Sequence, residues 1–409
     1  MRGPAPTNEP PTHRLRPGSG EPSGRRRHRQ FPHHPRLART DLGTTAGSHR
    51  RRPRLSHRQM PVTLSMCSSR ALVPTRRDTP GRSPWSTVGP ARINPAYPSI
   101  YEDNAAWVRR FLPFTDSAAM SSFFERRYPL FDAMMYPTGV PSRVVHSSCM
   151  SSLMFEMDDL AVLQHTAFGE IAAEWTADHP YGPAFTDIWT TLRDNMSEPV
   201  FRRYRQGWQD CFQGILAEHD YIARDTLPDF DTYLAIRELS FGFRPLLACA
   251  EYVHGLDLSA LIGTDPDLER AERAALLHSL LVNDLLSFRK EYTHGDRFNA
   301  VAVLIHTHEQ PLQTAVDIIG ELIRDADAEL ADACATLRRR YLPLPHLQLY
   351  LTTLGSMCAA NLRWSLETTR YHGTGFGWNG LRHGTIALHP DHTILEPRHQ
   401  NAFETARLP

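Results

Sequence analysis

The segment from Thr264 to about Tyr292 constrains the fold of this chain more than any other stretch. It opens with Asp265, a side chain that can cap a helix, and continues with Pro266 at the first helical position, where proline is tolerated. No further proline or glycine interrupts the segment before its end. The sequence therefore predicts one long, well-capped helix over residues 266–292.

The same helical texture extends over the chain from about Pro95 onward. Runs of β-branched residues are few, turn signals between segments are short, and no repeat with a period of 20–50 residues is visible. These features predict an all-α domain. Besides the helix at 266–292, we expect helices at 100–112, 150–175, 198–219, 229–253, 299–308, 312–340 and 346–370.

The first 92 residues differ in composition from the rest of the chain. They contain 19 Arg, no Lys and four acidic residues, a net charge of +15, and 14 of the 32 prolines. Such a segment buries too little apolar surface to offset its ordering entropy. We therefore predict a disordered leader at 1–92, a folded domain at 93–385 and a C-terminal tail at 386–409.

Two interpretations of the leader are open. An Arg-rich arm can bind the phosphates of nucleic acid or anionic lipid by releasing counterions. Alternatively, residues 1–92 are a solubilising leader, or sequence ahead of a true start at Met60 or Met66. We favour the second interpretation and do not expect a nucleic-acid partner.

Composition also restricts the location of the protein. The 45 basic and 45 acidic residues balance, the mean hydropathy is −0.41, and no run reaches the roughly 20 apolar residues of a membrane span. The N-terminus lacks the apolar region of a secretory signal, and the six cysteines form no CxxC pair. We expect a protein of the reducing cytoplasm, with no membrane association and no structural zinc.

Three oxygen-bearing side chains recur on the long helix. Asn283, Ser287 and Glu291 stand at i, i+4 and i+8, so they lie on one helix face about two turns long. An amide, a hydroxyl and a carboxylate suit a hard cation such as Mg²⁺. The alternative is a polar stripe on a solvated helix face.

A second acidic site lies in another apolar and helical stretch. Asp158 and Asp159 follow the residues SSLMFEM. Two adjacent carboxylates cannot both be buried unpaired without a large desolvation cost, so we expect a metal or an arginine nearby. A plain pair of aspartates at a helix end is the alternative.

The two sites resemble the metal motifs of class I terpene synthases of the bacterial type. Asn283, Ser287 and Glu291 match the NSE motif, and Asp158-Asp159 resembles the start of the aspartate-rich DDxxD motif. The order of the two motifs along the chain also matches. The resemblance covers roughly residues 95–385.

Two further segments extend the resemblance. Arg370-Tyr371 looks like the Arg-Tyr pair that ends the C-terminal segment of bacterial members. Arg237 resembles the diphosphate-sensing arginine that precedes the break in the helix called G. A chain-elongating prenyltransferase should show two full DDxxD motifs, whereas this chain has one incomplete motif and NSE.

The resemblance implies a single bundle of antiparallel α-helices around a deep apolar pocket, with both metal motifs at its mouth. It implies three Mg²⁺ ions, held by Asp158, Asp159 and the NSE residues. It also implies that the diphosphate of the substrate is gripped by Arg237, Lys290, Arg370 and Tyr371. Lys290 is the only lysine in the chain, which suits a compact charge beside a phosphate oxygen.

The chain departs from the family pattern at two positions. Val162 stands where the DDxxD motif has its third acid, and Glu238 stands where a second arginine is common. A slip of one residue in the alignment would remove Arg237 from the sensing position. Because of Val162, a catalytically silent protein that binds isoprenoid diphosphates is the alternative to an active enzyme.

The implied reaction ionises a linear prenyl diphosphate and cyclises the carbocation to a terpene hydrocarbon or alcohol. We favour farnesyl diphosphate as the substrate, with geranylgeranyl diphosphate next. Phe155, Phe241 and Trp364 are candidate wall residues whose faces can stabilise the cation, although each could be ordinary core packing. The sequence leaves the oligomeric state open, with a homodimer as one option.

Overall fold

The computed structural model describes the backbone at 60–64, 90–164, 179–342, 344–380 and 384–396. Within these ranges, side chains are described except at 60–64, 159–164 and 384–385. The C-terminal part of the predicted helix 150–175 therefore lies outside the described residues, as do most of the leader and part of the tail. In the part of the chain that is described, no helix is both long and apolar enough to cross a membrane.

Thirteen α-helices follow one another in the described residues, and this confirms the predicted all-α class. The first eight are α1 (Tyr97–Phe111), α2 (Ser117–Glu125), α3 (Tyr128–Met135), α4 (Pro141–Gln164), α5 (Gly182–Asn195), α6 (Glu198–Ala223), α7 (Phe230–Ser240) and α8 (Phe243–His254). The others are α9 (Pro266–Thr293), α10 (Ala300–Thr307), α11 (Leu312–Arg340), α12 (Pro345–Glu367) and α13 (Thr369–His372).

The helix predicted at 266–292 is α9, and its capping is as expected. Asp265 accepts hydrogen bonds from the backbone N–H groups of Asp267 (2.9 Å) and Leu268 (3.2 Å). Arg340 and Tyr341, at the C-terminal end of α11, also bind the Asp265 carboxylate, at 3.0 and 2.6 Å. The end of α11 therefore lies beside the start of α9, so the two helices pack antiparallel, and α12 packs against α9 as well.

Two predicted helix boundaries were wrong, and three helices were not predicted. The stretch 229–253 is two helices, because Gly242 adopts a φ of 72° that ends α7 and starts α8. Helix α4 begins at Pro141 and not at 150, since proline is well suited to the first helical position. The short helices α2, α3 and α5 were not predicted, because tertiary packing stabilises helices of this length more than their own periodicity does.

A small antiparallel sheet accompanies the helices, although the sequence predicted no strand. Its strands are β1 (Met60–Leu64), β2 (Gly384–Leu388) and β3 (Thr393–Glu396), in the order β1-β2-β3, with Met60 opposite Leu388. Strand β1 lies in the segment for which disorder was expected, and β2 crosses the expected boundary at 385. Pairing between residues more than 300 positions apart is a long-range interaction that local composition does not reveal.

Helices α6 and α7 approach closely at Gly214. A Cβ atom at this position would lie 2.5 Å from the backbone nitrogen of Ser240 and 2.8 Å from the Cβ of Leu239. Neither neighbour is the end of a flexible side chain, so a larger residue must push the helices apart. This close approach matters for function because α6 and α7 both contribute residues to the cavity described below.

We expect Gly214→Ala to lower the free energy of unfolding by about 1–3 kcal/mol, the usual cost of overpacking a buried contact. The measurement is chemical denaturation followed by circular dichroism. Gly320→Ala in α11 is the control, because its added Cβ would have no atom closer than 3.7 Å. The control should be neutral or stabilising by up to about 1 kcal/mol; equal losses in both variants would contradict the close approach.

Candidate active site

The oxygen-bearing face of α9 lies at the mouth of the large cavity of the bundle. Asn283 donates a hydrogen bond from Nδ2 to the Tyr371 hydroxyl (2.6 Å) and accepts one at Oδ1 from Arg237 (3.1 Å). Glu291 accepts a hydrogen bond from Nδ2 of Asn299 (2.8 Å). Asn283 and Glu291 line the cavity, so this face is not a solvated stripe.

The donor set on this face fits a hard cation. Ser287 is completely buried, and its Oγ has no hydrogen-bond partner among the described residues. An unsatisfied buried hydroxyl costs about 1–3 kcal/mol, which a metal ligand role would offset. Burial raises the pKa of Glu291 to about 7, and the nearby carboxylates of Asp296 and Asp284 add to the effect. A bound cation would favour the ionised form of Glu291.

Asp158 lies at the same mouth, on α4. Its side chain is 61% exposed and forms an ion pair with Arg370 (2.5 Å), whose own side chain is only 5% exposed. The Arg370 guanidinium also lies over the rings of Phe155 (5.0 Å) and Tyr371 (5.5 Å). The arginine expected near the aspartates is therefore Arg370. The side chains of Asp159 and Val162 lie outside the described residues.

A chain of contacts joins the two motifs across the mouth. Asp158 pairs with Arg370, and Arg370 donates to the Tyr371 hydroxyl at 3.4 Å. The same hydroxyl accepts from Asn283, which in turn accepts from Arg237. Segments distant in sequence, on α4, α7, α9 and α13, thus meet at one place.

Arg237 is held by buried acids. Its Nε donates to Asp284 (3.2 Å), and its Nη1 lies 3.6 Å from Glu218. Although burial alone would lower it, Asp284 and Glu218 hold the pKa of Arg237 well above its ordinary value. The adjacent Glu238 binds Arg273 instead, at 2.8 Å. The register that places Arg237 at the cavity is therefore the one found in the structure.

Sequence reasoning missed several polar residues of the mouth. Glu218 and Asp296 line the cavity, as does Lys290 from the predicted set. Burial raises the pKa of Glu218 to about 8, against the opposing effect of Arg237. Asp284 is fully buried and accepts hydrogen bonds from the Tyr233 hydroxyl and the backbone of Ala300. Asp284 lies in an apolar run of a predicted helix, and this pattern could have indicated a buried, paired acid. No comparable pattern marks Glu218.

Comparisons with known proteins agree with this geometry. A family model for terpene synthase family 2, C-terminal metal binding, matches residues 155–328. (E)-2-epi-beta-caryophyllene synthase from Selaginella moellendorffii is 28% identical over 337 residues, covering 75% of this chain and 90% of that protein. Sesquiterpene synthase 2 from Postia placenta is 26% identical over 327 residues, covering 76% of this chain and 94% of that protein. These similarities support the predicted resemblance to class I terpene synthases.

A solved structure shows the same fold. The linalool/nerolidol synthase from Streptomyces clavuligerus superimposes with a TM-score of 0.59 at 22% identity, covering 68% of this chain and 99% of that one. The likeness confirms the predicted class I terpenoid synthase fold, a helical bundle around a pocket.

Aromatic side chains form one wall of the cavity. Phe155, Trp364 and Phe131 all line it, with ring centroids 5.2 Å apart between Phe155 and Trp364 and 5.3 Å between Phe131 and Trp364. Tyr128 stacks behind Phe155 at 4.6 Å. Phe241 lines the cavity at the break between α7 and α8. The three predicted wall residues therefore face the cavity and also pack on neighbouring side chains.

We expect Ser287→Ala to leave thermal stability in EDTA unchanged or slightly raised, because the hydroxyl has no partner to lose. The same change should reduce the rise in Tm that Mg²⁺ and inorganic diphosphate together produce. Differential scanning fluorimetry measures both effects. Ser279→Ala is the control, since Ser279 is equally buried on α9 two turns earlier. A full Tm rise in Ser287→Ala would exclude this serine as a ligand.

Proposed function

We propose that this protein is a Mg²⁺-dependent class I terpene cyclase. It ionises a linear prenyl diphosphate, farnesyl diphosphate first and geranylgeranyl diphosphate next, and converts the carbocation to a cyclic terpene hydrocarbon or alcohol with release of diphosphate. The observation that carries the proposal is the contact chain from Asp158 to Arg237, which collects oxygen ligands and phosphate-binding cations at the mouth of an aromatic cavity.

The choice of substrate rests on the relatives. Postia placenta sesquiterpene synthase 2 carries a C15 product class in its name, and it aligns over most of this chain. The cavity, including the open space at its mouth, has a volume of about 1420 Å³. A C15 chain with its diphosphate at the mouth is the substrate that we favour.

The metal would be held by the residues of the two predicted motifs. Asn283, Ser287 and Glu291 supply one set of oxygens, and Asp158 with Asp159 supplies the other, for three ions in all. When bound, Mg²⁺ supplies positive charge that stabilises the departing diphosphate. Two observations support this assignment: the Ser287 hydroxyl has no hydrogen-bond partner among the described residues, and the pKa of Glu291 is raised.

The protein's own cations act on the same leaving group. Arg370 and Lys290 line the mouth, and the Tyr371 hydroxyl lies between Arg370 and Asn283. Charge-assisted hydrogen bonds from such groups stabilise the negative charge that develops as the carbon–oxygen bond breaks. For this contact Arg370 must exchange part of its pairing with Asp158 for the diphosphate, so substrate binding rearranges the contact chain.

The cavity wall then protects the cation. The faces of Phe155, Phe241 and Trp364 are apolar and can stabilise positive charge by cation–π attraction. No nucleophilic side chain is needed, because the allylic cation reacts with its own double bonds. Exclusion of bulk water prevents early capture of the cation.

The proposal is tested by incubating the full chain with geranyl, farnesyl and geranylgeranyl diphosphates, with Mg²⁺ or with EDTA. Gas chromatography with mass detection should show one main cyclic product from one substrate, abolished by EDTA. Asn283→Ala should lower turnover at least about 100-fold, as expected for loss of an electrostatic group at the reacting centre. Asn195→Ala, at an exposed site on α5, is the control and should retain wild-type turnover. Binding of diphosphate without any product would instead indicate a catalytically silent protein.

We expect Arg370→Gln to lower kcat about 100-fold or more, because it removes a nearly buried charge from the leaving-group site. Arg363→Gln is the matched control two turns earlier. Arg363 is 43% exposed and pairs with Glu367 on its own helix, away from the cavity. Steady-state release of inorganic diphosphate measures both variants. Similar rates in the two would remove Arg370 from the proposed machinery.

A further inference from the structure

A second group of polar side chains lies in the wall of the cavity, apart from those at the mouth. Asp132 on α3 is completely buried, and its Oδ1 accepts hydrogen bonds from the hydroxyls of Ser147 (2.7 Å) and Ser151 (3.2 Å). Both serines line the cavity. Because Ser151 donates its proton to the carboxylate, the lone pairs of its oxygen can accept a hydrogen bond from a molecule in the cavity.

The cluster lies deep below the mouth. Ser151 and Ser147 precede Asp158 on α4 by seven and eleven residues, which is about 10 and 16 Å along the helix axis. On the neighbouring α6, Trp208 precedes the mouth residue Glu218 by ten residues, or about 15 Å. The polar atoms of this cluster are therefore well separated from the site of ionisation.

Three polar atoms of the same region have no hydrogen-bond partner among the described residues. They are Oδ2 of Asp132, the hydroxyl of Tyr204 and Nε1 of Trp208, all buried. Tyr204 and Trp208 line the cavity. Burial raises the pKa of Tyr204 well above its ordinary value, and Trp208 and Asp132 are both near enough to influence that pKa. The rings of Tyr204 and Trp208 are 6.2 Å apart between centroids, so these two side chains lie side by side in the cavity wall.

Asp132 Oδ2 is an acceptor, whereas the Tyr204 hydroxyl and the Trp208 N–H are donors. A molecule that satisfies all three must be able both to donate and to accept hydrogen bonds. Each unsatisfied group costs about 1–3 kcal/mol. A water molecule needs two to four polar partners, and it can donate to serine oxygens while accepting from a tyrosine hydroxyl or an indole N–H. A hydrocarbon chain satisfies none of these groups.

We infer that Asp132, Ser147, Ser151, Tyr204 and Trp208 hold a water molecule in the cavity, and that this water quenches the carbocation to give a terpene alcohol. This inference rests on the proposed function and specifies the class of its product. Ser151, nearer to the mouth than Ser147, is the residue in contact with the reacting water.

In the quenching step, the water gives its oxygen to the cation and its proton to the Ser151–Asp132 pair. A lone pair of the water oxygen forms a C–O bond with the cationic carbon. One O–H bond of the water breaks and its proton passes to Oγ of Ser151, while the serine's own proton passes to Oδ1 of Asp132. The products are a neutral alcohol and a neutral carboxylic acid, which returns its proton to solvent when the cavity opens.

Asp132 is suited to accept the proton in this step. Burial raises the pKa of its carboxyl to about 7, although the hydrogen bonds from Ser147 and Ser151 act in the opposite direction. A carboxylate with a raised pKa accepts a proton more readily than an ordinary aspartate does. No cation pairs with Asp132 among the hydrogen bonds and ion pairs of the described residues, so its charge is available to the carbocation.

The test is turnover of farnesyl and geranylgeranyl diphosphates by the full chain in H₂¹⁸O. We expect an alcohol whose mass is raised by two units, because its oxygen comes from the bound water. A hydrocarbon as the only product would overturn the inference while leaving the proposed cyclase intact. An alcohol that lacks the label would overturn it as well.

Variants identify the residues that hold the water. Ser151→Ala and Tyr204→Phe should each lower the ratio of alcohol to hydrocarbon about three- to tenfold, the effect of one lost hydrogen bond. Ser148→Ala is the matched control, since Ser148 is buried on α4 but bonds Asn104 and does not line the cavity. An unchanged product ratio in both test variants would overturn the assignment. Tyr204→Phe removes a hydroxyl that has no partner, so it should fold even if Asp132→Asn does not.

A crystal structure of the full chain separates failure of this inference from failure of the proposed function. The expected result is an ordered water within 2.7–3.2 Å of the Ser151 oxygen and of Tyr204 or Trp208. A dry cluster would overturn the inference. If no prenyl diphosphate is turned over, the proposed function fails, and the presence or absence of this water still decides whether the cluster is a water site.

Discussion

The buried ion pair between Asp284 and Arg237 is the interaction on which the site depends. Asp284 is fully removed from solvent in the middle of α9, where an unpaired carboxylate would be strongly destabilising. Tyr233, Arg237 and the backbone of Ala300 supply its partners. By satisfying Asp284, the structure brings α7 and the start of α10 against the face of α9 that carries Asn283, Ser287 and Glu291, and Arg237 reaches Asn283 at the same time.

The C-terminal end of the bundle is held to the same helix by a second buried charge. Arg289 donates to the backbone oxygen of Tyr371 at 2.7 and 3.0 Å and to that of Pro390 at 3.0 Å. Arg289 therefore fixes α13 against α9, and this places Arg370 and the Tyr371 hydroxyl at the mouth. Two adjacent residues of α9 therefore have different roles. Arg289 binds the backbone of Tyr371, while Lys290 lines the cavity.

Polar groups in the cavity are segregated by depth. The mouth collects acids, amides and cations, whereas the wall below it is aromatic, formed by Phe131, Phe155 and Trp364. The exception is the group around Asp132, a buried acid that accepts hydrogen bonds from two serines and pairs with no cation within the described part of the chain. In the proposed reaction, this arrangement would separate the departure of the leaving group at the mouth from the capture of the cation at depth.

The sequence by itself determined the helical class and the capped helix α9, because caps and periodicity are local properties. It also predicted a metal site from the i+4 spacing of Asn283, Ser287 and Glu291 and from the adjacent acids Asp158 and Asp159. It also indicated Arg237, Arg370 and Tyr371, but only through resemblance. Tertiary structure alone decided that Arg370 pairs with Asp158, that Glu218 and Asp296 join the mouth, and that Asp132 lies behind two serines. These are contacts between elements distant in the chain, and their existence depends on how the helices pack. Periodicity shows which face of a helix is buried, but not which side chain of another helix lies opposite.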